Sequence, residues 1–296
     1  MLTETPNPRT ANIDRLSSLE MLQVINDEDA SVAVAVQRAL PSIARAVDAI
    51  TACLRRGGHL IYVGAGTSGR LGVLDAVECV PTFSTDPLMV QGIVAGGHAA
   101  LTQPVEGAED DYDAGYAKMG EIGVSRHDVV IGIAASGQTP YVIGALQAAK
   151  AYGAVTAAVT CNEPAPMLDI VQFPIAAVVG PEIIAGSTRL KAGTAQKMIL
   201  NMLSTASMIQ LGKVYGNLMV DVKVTNQKLA KRAQGIVMKV AHTSEEEAIR
   251  LLQQTQNEVK PAIVMALRHV SAEEARSQLI AADGILRRII GDSIPG

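Results

Sequence analysis

Between residues 57 and 185 the chain repeats one pattern: a short apolar run closed by Gly, Ser or Asn, then a helical stretch. The runs read LIYVGAG from Leu60, LMVQGIVAGG from Leu88, DVVIGIAASG from Asp128, AVTAAVT from Ala154 and FPIAAVVG from Phe173. A strand that is apolar on both sides must be covered on both sides, which is the condition of a parallel sheet between helices. Helical segments such as YVIGALQAAKAYG, from Tyr141, lie between the runs and supply the βαβ crossovers. The fold class expected is therefore α/β.

The flanks are helical. Residues 1 to about 15 are polar and bear prolines, and read as a loose arm. From Ser17 to about Arg56 the spacing is that of helices, with Pro41 starting a new helix or kinking the first, and Gly57-Gly58 ending it. A long helical stretch runs from Ser187 to Lys213, and no strand-like run follows Asp221. Two segments opening S-x-x-E, at Ser244 and Ser271, carry the capping-box pattern. The expected organisation is an arm and helices over 1–56, the α/β domain over 57–215, and a helical region over 216–296 with a small three-helix domain from about 235.

Composition narrows the function. Of 296 residues 48% are apolar, with no Trp and only two Phe, so the core is aliphatic. The net charge of −4 gives no electrostatic footprint for nucleic acid. The basic stretch from Lys223 to Lys239 reads as a solvated helix face. Cys53, Cys79 and Cys161 are odd in number and far apart, which argues for a reducing compartment without a disulfide framework. No C-x-x-C or H-x-x-x-H spacing suggests a metal. No signal-peptide pattern opens the sequence and no apolar run approaches the roughly 18 residues of a membrane span, so the expected location is the cytoplasm.

Three turns rich in Gly, Ser and Thr carry the chemistry: Gly64 to Gly69, Ala134 to Pro140, and Ala185 to Thr194. Each follows a strand or precedes a helix, where ligands bind in open α/β sheets. A helix N-terminus offers unpaired N–H groups and a positive dipole end suited to phosphate. Such turns are also ordinary caps, and sequence alone does not say that the three converge. The first satisfies G-x-G-x-x-G, but the dinucleotide reading needs an acid about 20 residues on, and Gly96-Gly97 stand there. A compact phosphomonoester fits better. Among carboxylates, Glu78 sits in the apolar DAVECVPTF, where burial would favour a proton-donating form. Glu109 sits in the acidic VEGAEDDYD, which otherwise reads as a solvated helix start. Arg189 and Lys191 are cations that could neutralise a phosphate or remain surface charges.

The segments GAGTSGRLGVLDAVECVPTF, VEGAEDD, GIAASGQTPYV, GPEIIAGSTRLKAGTAQKMILNMLST and GKVYGNLMVDVKVTNQKLAKRA together resemble the N-acetylmuramic acid 6-phosphate etherase family. The opening IDRLSSLEMLQVINDED resembles it too, so the likeness covers nearly the whole chain. It implies a three-layer sugar isomerase (SIS) domain with a five-stranded parallel sheet, N-terminal helices and a small C-terminal helical domain. It implies a homodimer, a phosphorylated amino sugar as substrate, and no metal or organic cofactor. It assigns catalysis to Glu78 as acid and Glu109 as the second carboxylate. Phosphate binding falls to Gly66, Thr67, Ser68, Ser136, Gly137, Thr139, Ser187, Thr188 and Lys191. A non-catalytic sugar-phosphate regulator and an aldose–ketose phosphate isomerase remain as rivals on the same fold.

Overall fold

The computed structural model describes residues 1–291. The backbone divides into two compact units, residues 1–77 with 87–204, and residues 78–86 with 205 onward.

The first unit holds the sheet. In chain order its elements are α1 (Ser18–Leu54), β1 (Leu60–Gly64), α2 (Gly66–Phe83, of which residues to Val77 belong here), β2 (Val90–Val94), α3 (Tyr112–Glu121), β3 (Val129–Ile133), α4 (Pro140–Ala151), β4 (Val155–Thr160), the single turn α5 (Pro166–Asp169), β5 (Phe173–Ala176) and α6 (Lys191–Gln210). The strands pair in the order β2-β1-β3-β4-β5, all parallel. Every residue of β1 and β3, at the centre, is buried. Alternate residues face opposite sides. Ile61, Val63 and Val130 pack with Val142 and Leu146 of α4. Tyr62, on the opposite face of β1, lies against α2 at Gly72, where an added Cβ would sit 2.9 Å from the tyrosine's own. The α/β class with a five-stranded parallel sheet is thus found as expected.

Pro41 does not start a new helix: α1 runs through it for 37 residues. Proline removes the N–H that would reach the carbonyl four residues back. Pro41 and Gln37 both lie on the exposed side of the helix, so water can take that carbonyl. The buried stripe of Val32, Val36, Ile43, Val47 and Ile50 continues across the position without a change of phase. The start is fixed by a complete capping box between Ser17 and Glu20.

The N-terminal arm is not loose. Thr3, Asn7 and Thr10 are buried. Asn162 donates to the Thr3 hydroxyl at 3.0 Å and to the Ala135 carbonyl at 2.9 Å. The Gly186 N–H donates to the Thr3 carbonyl, and the Thr10 hydroxyl donates to the Ile183 carbonyl at 2.8 Å. Asn7 donates to Glu28 of α1 at 2.9 Å. The arm buries polar side chains because each finds a partner there.

Glu28 is the junction of this region. Its carboxylate takes the Lys191 ammonium at 2.7 Å and the exposed Arg9 guanidinium at 3.0 Å. Burial works against the Glu28 anion, but hydrogen bonds from Lys191 and Asn7 and the charges of Lys191 and Arg9 outweigh it and hold the carboxyl below its ordinary value. A second network joins β1, α2 and α6: the Tyr62 and Ser204 hydroxyls donate to Asp75 at 2.9 and 3.1 Å. Burial pushes the Asp75 carboxyl up, against those hydrogen bonds and the Lys197 charge.

The second unit is helical, with α7 (Gln227–Ala241), α8 (Glu245–Gln254), α9 (Val259–Arg268), α10 (Ala272–Ala281) and α11 (Arg287–Ile290). Its core gathers Tyr215, Val220, Ile236, Val237, Leu251, Leu252 and Ile263. The basic stretch falls largely on α7, which buries Leu229, Ala233, Ile236, Val237 and Val240 and turns its cations outward. The capping box is complete at Ser271. At Ser244 only half forms: the serine accepts from the Glu247 N–H, but the Glu247 carboxylate is engaged by Arg250 at 2.7 and 2.5 Å.

Glu28→Ala leaves the Lys191 ammonium buried and unpaired, so urea denaturation should show a loss of about 3–5 kcal/mol. Because the Glu28 carboxyl is held low in the folded state, its stabilisation is complete above the ordinary value of 4.5 and is lost as the pH falls through the lowered one. The acid limb of wild-type unfolding should therefore be flattened in Glu28→Gln.

Candidate active site

The three glycine- and hydroxyl-rich turns do converge. A cavity of about 420 Å³ at the strand ends of the first unit is lined by Gly66, Thr67 and Ser68 of the first turn, Ser136 and Thr139 of the second, and Gly186 and Thr188 of the third. Glu109 lines the same cavity.

The first turn is built by its glycines. A Cβ on Gly69 would lie 2.6 Å from the Gly64 carbonyl oxygen, and a Cβ on Gly64 would lie 2.6 Å from the Gly69 nitrogen. Strand-to-helix approach alone therefore requires two of the three fingerprint glycines. Gly66 adopts φ +51, a conformation side chains disfavour, with open space where a Cβ would be. Helix α2 begins at once, and the first N–H to return a backbone bond is that of Gly69, to Ala65. The preceding N–H groups are those an α-helix leaves unpaired.

The second turn works differently. Pro140 opens α4 and has no N–H, and the Tyr141 N–H goes to the Glu109 carbonyl at 3.0 Å. That bond also fixes the Glu109 backbone on the cavity wall. The Thr139 side chain makes no cap hydrogen bond, so its hydroxyl is available. The Ser136 hydroxyl accepts from the Gln138 N–H at 3.2 Å and keeps its own proton to donate.

The third turn corrects the sequence reading. The α6 N-terminus is already occupied by protein: the buried Glu182 carboxylate accepts from the Lys191 and Ala192 N–H groups, both at 2.9 Å. A carboxylate there satisfies the helix end and leaves no place for phosphate. Lys191 itself is 2% exposed and gives its ammonium to Glu28 and to the Pro181 carbonyl, so it is not the phosphate-neutralising cation expected. Ser187 and Gly137 are not among the lining residues. Gly137 has φ +67 and abuts Ala165, which gives it a role in the shape of the turn.

Glu78 belongs to the second unit, on α2, and is exposed, so the burial expected for it is not found. Cys79, its neighbour, is buried. Glu109 is exposed. Sequence reasoning missed Gln138, Met1 and Glu4, which also line the cavity. Only the G-Q-T-P spelling of the second turn could have drawn attention to Gln138. Nothing in the sequence signals that the arm reaches the wall.

No Lys, Arg or His side chain is among the lining residues, whereas Glu4, Glu109 and Asp110 are. The donors the cavity offers are hydroxyls and backbone N–H groups.

Five parallel strands with a polar pocket at their ends, together with the match below, make the first unit a sugar isomerase domain. The family model "Glucokinase regulatory protein N-terminal SIS domain" matches residues 42–150, and "C-terminal lid domain of glucokinase regulatory protein" matches residues 216–260. A phosphoheptose isomerase from Francisella tularensis shares the fold, with TM-score 0.52 and 18% identity, covering 66% of this chain and all of that one. Over its full length the chain is similar to N-acetylmuramic acid 6-phosphate etherase 2 of Vibrio parahaemolyticus, 51% identical over 99% of this chain and 98% of that one. It is likewise 54% identical to the N-acetylmuramic acid 6-phosphate etherase of Yersinia pestis, over 97% of each. The chain belongs to the N-acetylmuramic acid 6-phosphate etherase family.

Since Thr139 makes no cap bond, Thr139→Val should change folding stability by no more than about 0.5 kcal/mol. The same substitution should weaken binding of inorganic phosphate about 10-fold or more, as loss of one charge-assisted hydrogen bond predicts. Calorimetric titration beside thermal unfolding reads both.

Proposed function

We propose that this chain cleaves the D-lactyl ether of N-acetylmuramic acid 6-phosphate, giving N-acetylglucosamine 6-phosphate and D-lactate in cell-wall amino-sugar recycling or catabolism. The observation that carries the reading is one cavity holding Thr67, Ser68, Ser136, Thr139, Thr188 and Glu109, in a chain about half identical to etherases from end to end.

In this reading the 6-phosphate sits against the first turn of α2 and the hydroxyls of Thr67, Ser68, Ser136, Thr139 and Thr188. Neutral donors suit an anion that must be oriented and then released. Glu109 stands on the same wall. In the ring-opened sugar the C2–H is acidified by the adjacent aldehyde, and the Glu109 carboxylate removes that proton. The C2–C3 double bond forms as the C3–O bond breaks, and Glu78 protonates the departing lactate oxygen. Water then adds its hydroxyl at C3 and a proton returns to C2, so the net change is ether plus water to alcohol plus lactate. Two carboxylates divide base and acid work as general catalysis requires.

The reading includes a homodimer in the cytoplasm acting without metal or organic cofactor. Cys53, Cys79 and Cys161 form no disulfide among the described residues, in keeping with a reducing compartment. Among the described residues no helix is long and apolar enough to cross a membrane.

Folded protein mixed with N-acetylmuramic acid 6-phosphate should release D-lactate, and absence of lactate overturns the proposal. Glu78→Gln and Glu109→Gln should each lower kcat by about 10²- to 10⁴-fold, the usual weight of a general acid or base. Deuterated water separates their roles. Glu78→Gln should still exchange the C2 proton of the substrate while releasing little lactate, and Glu109→Gln should do neither. The opposite pattern would reverse the assignment.

A further inference from the structure

Ser68 lines the cavity, and its hydroxyl lies 2.9 Å from the Oε1 of Gln196 on α6. Gln196 is 1% exposed, and its Nε2 has no hydrogen-bond partner among the described residues. A buried amide NH₂ without an acceptor loses its bonds to water and gains none in exchange. A glutamine in such a place calls for an explanation.

The amide has two orientations, and they differ in where the Ser68 proton points. With Oε1 toward Ser68, the serine donates to Gln196 and offers only lone pairs to the cavity. With the amide turned by half a revolution, Nε2 donates to Ser68 Oγ, and the serine's own O–H is released. The group without a partner is then Oε1 in place of Nε2, so the turn changes which end of the amide is unpartnered. An unprotonated phosphate oxygen accepts hydrogen bonds, so it takes the Ser68 O–H in the second orientation. A donor behind the hydroxyl also polarises it and strengthens the bond it makes in front.

We infer that Gln196 is a positioning residue that turns Ser68 from acceptor to donor when a phosphate group enters the cavity. The inference rests on reading that cavity as a phosphate site. Gln196 acts only through Ser68, and that gives it a signature that mere packing of α6 against α2 would not produce.

The test is a double-mutant cycle over Gln196→Met, which keeps the volume and removes the amide, and Ser68→Ala. Binding of inorganic phosphate is measured by calorimetry in all four proteins. Ser68→Ala should weaken binding about 10-fold or more and Gln196→Met about 3- to 10-fold, each the loss or weakening of one charge-assisted hydrogen bond. The double variant should bind no worse than Ser68→Ala alone, because the two groups form one unit. With N-acetylmuramic acid 6-phosphate, Gln196→Met should raise KM by a similar factor and leave kcat within about twofold, the mark of lost ground-state binding. Gln196→Leu serves in the same cycle should the methionine variant fail to fold. Equal loss from the Gln196 substitution with and without Ser68, no loss in either, or a wild type that does not bind phosphate overturns the inference. A wild type that binds phosphate with the expected coupling yet releases no lactate leaves the inference standing and removes the etherase reading instead.

Discussion

Two buried carboxylates fasten the beginning of α6, and the shape of the pocket follows from them. Glu182 takes the first two N–H groups of the helix, and Glu28, reaching from α1, takes the ammonium of Lys191. One residue thus binds a helix end through its backbone and a distant helix through its side chain. Asn7 and Arg9 of the arm join the same carboxylate, so the arm, α1 and α6 share a single polar junction. Such a junction contributes little net energy over an apolar one but tolerates no missing partner. Glu182, by occupying the α6 N-terminus, removes one helix end that could have met an anion and leaves that of α2.

The parallel sheet was legible because it rests on a signal that packing does not override. Runs such as DVVIGIAASG are apolar at successive positions, and only a doubly covered strand accommodates that. The hydroxyl-rich turns were legible for a related reason, since strand ends in such sheets open onto one crevice. Glu109 was harder to place, because its acidic neighbours give it the look of a solvated segment. What sets it on the wall is the hydrogen bond from the Tyr141 N–H to its carbonyl, a contact between segments that no local pattern announces.

The misreadings have a common cause. Lys191 looked like a free cation because its partner, Glu28, lies 163 residues away in sequence. The arm looked loose because Thr3, Asn7 and Thr10 are polar, and the distant groups that pair them become visible only after folding. Pro41 looked like a break because propensity treats every helix position alike, whereas a proline on the wet side of a long helix costs less than one on the dry side. For Lys191 and the arm, short-range chemistry was read correctly and the long-range partner decided the outcome.

The absence of Lys, Arg and His side chains from the pocket lining, beside three carboxylates, has a consequence for how ions in solution act on it. In a site built on cations, dissolved salt screens the attraction and loosens the ligand. On the proposed reading, the lining carboxylates Glu4, Glu109 and Asp110 repel an approaching dianion, while the hydroxyls and N–H groups act only at contact. Added salt therefore shields the entrance rather than the grip. On that reading the pocket would select its guest by the number and direction of donors it meets, and a more saline medium would ease the passage inward.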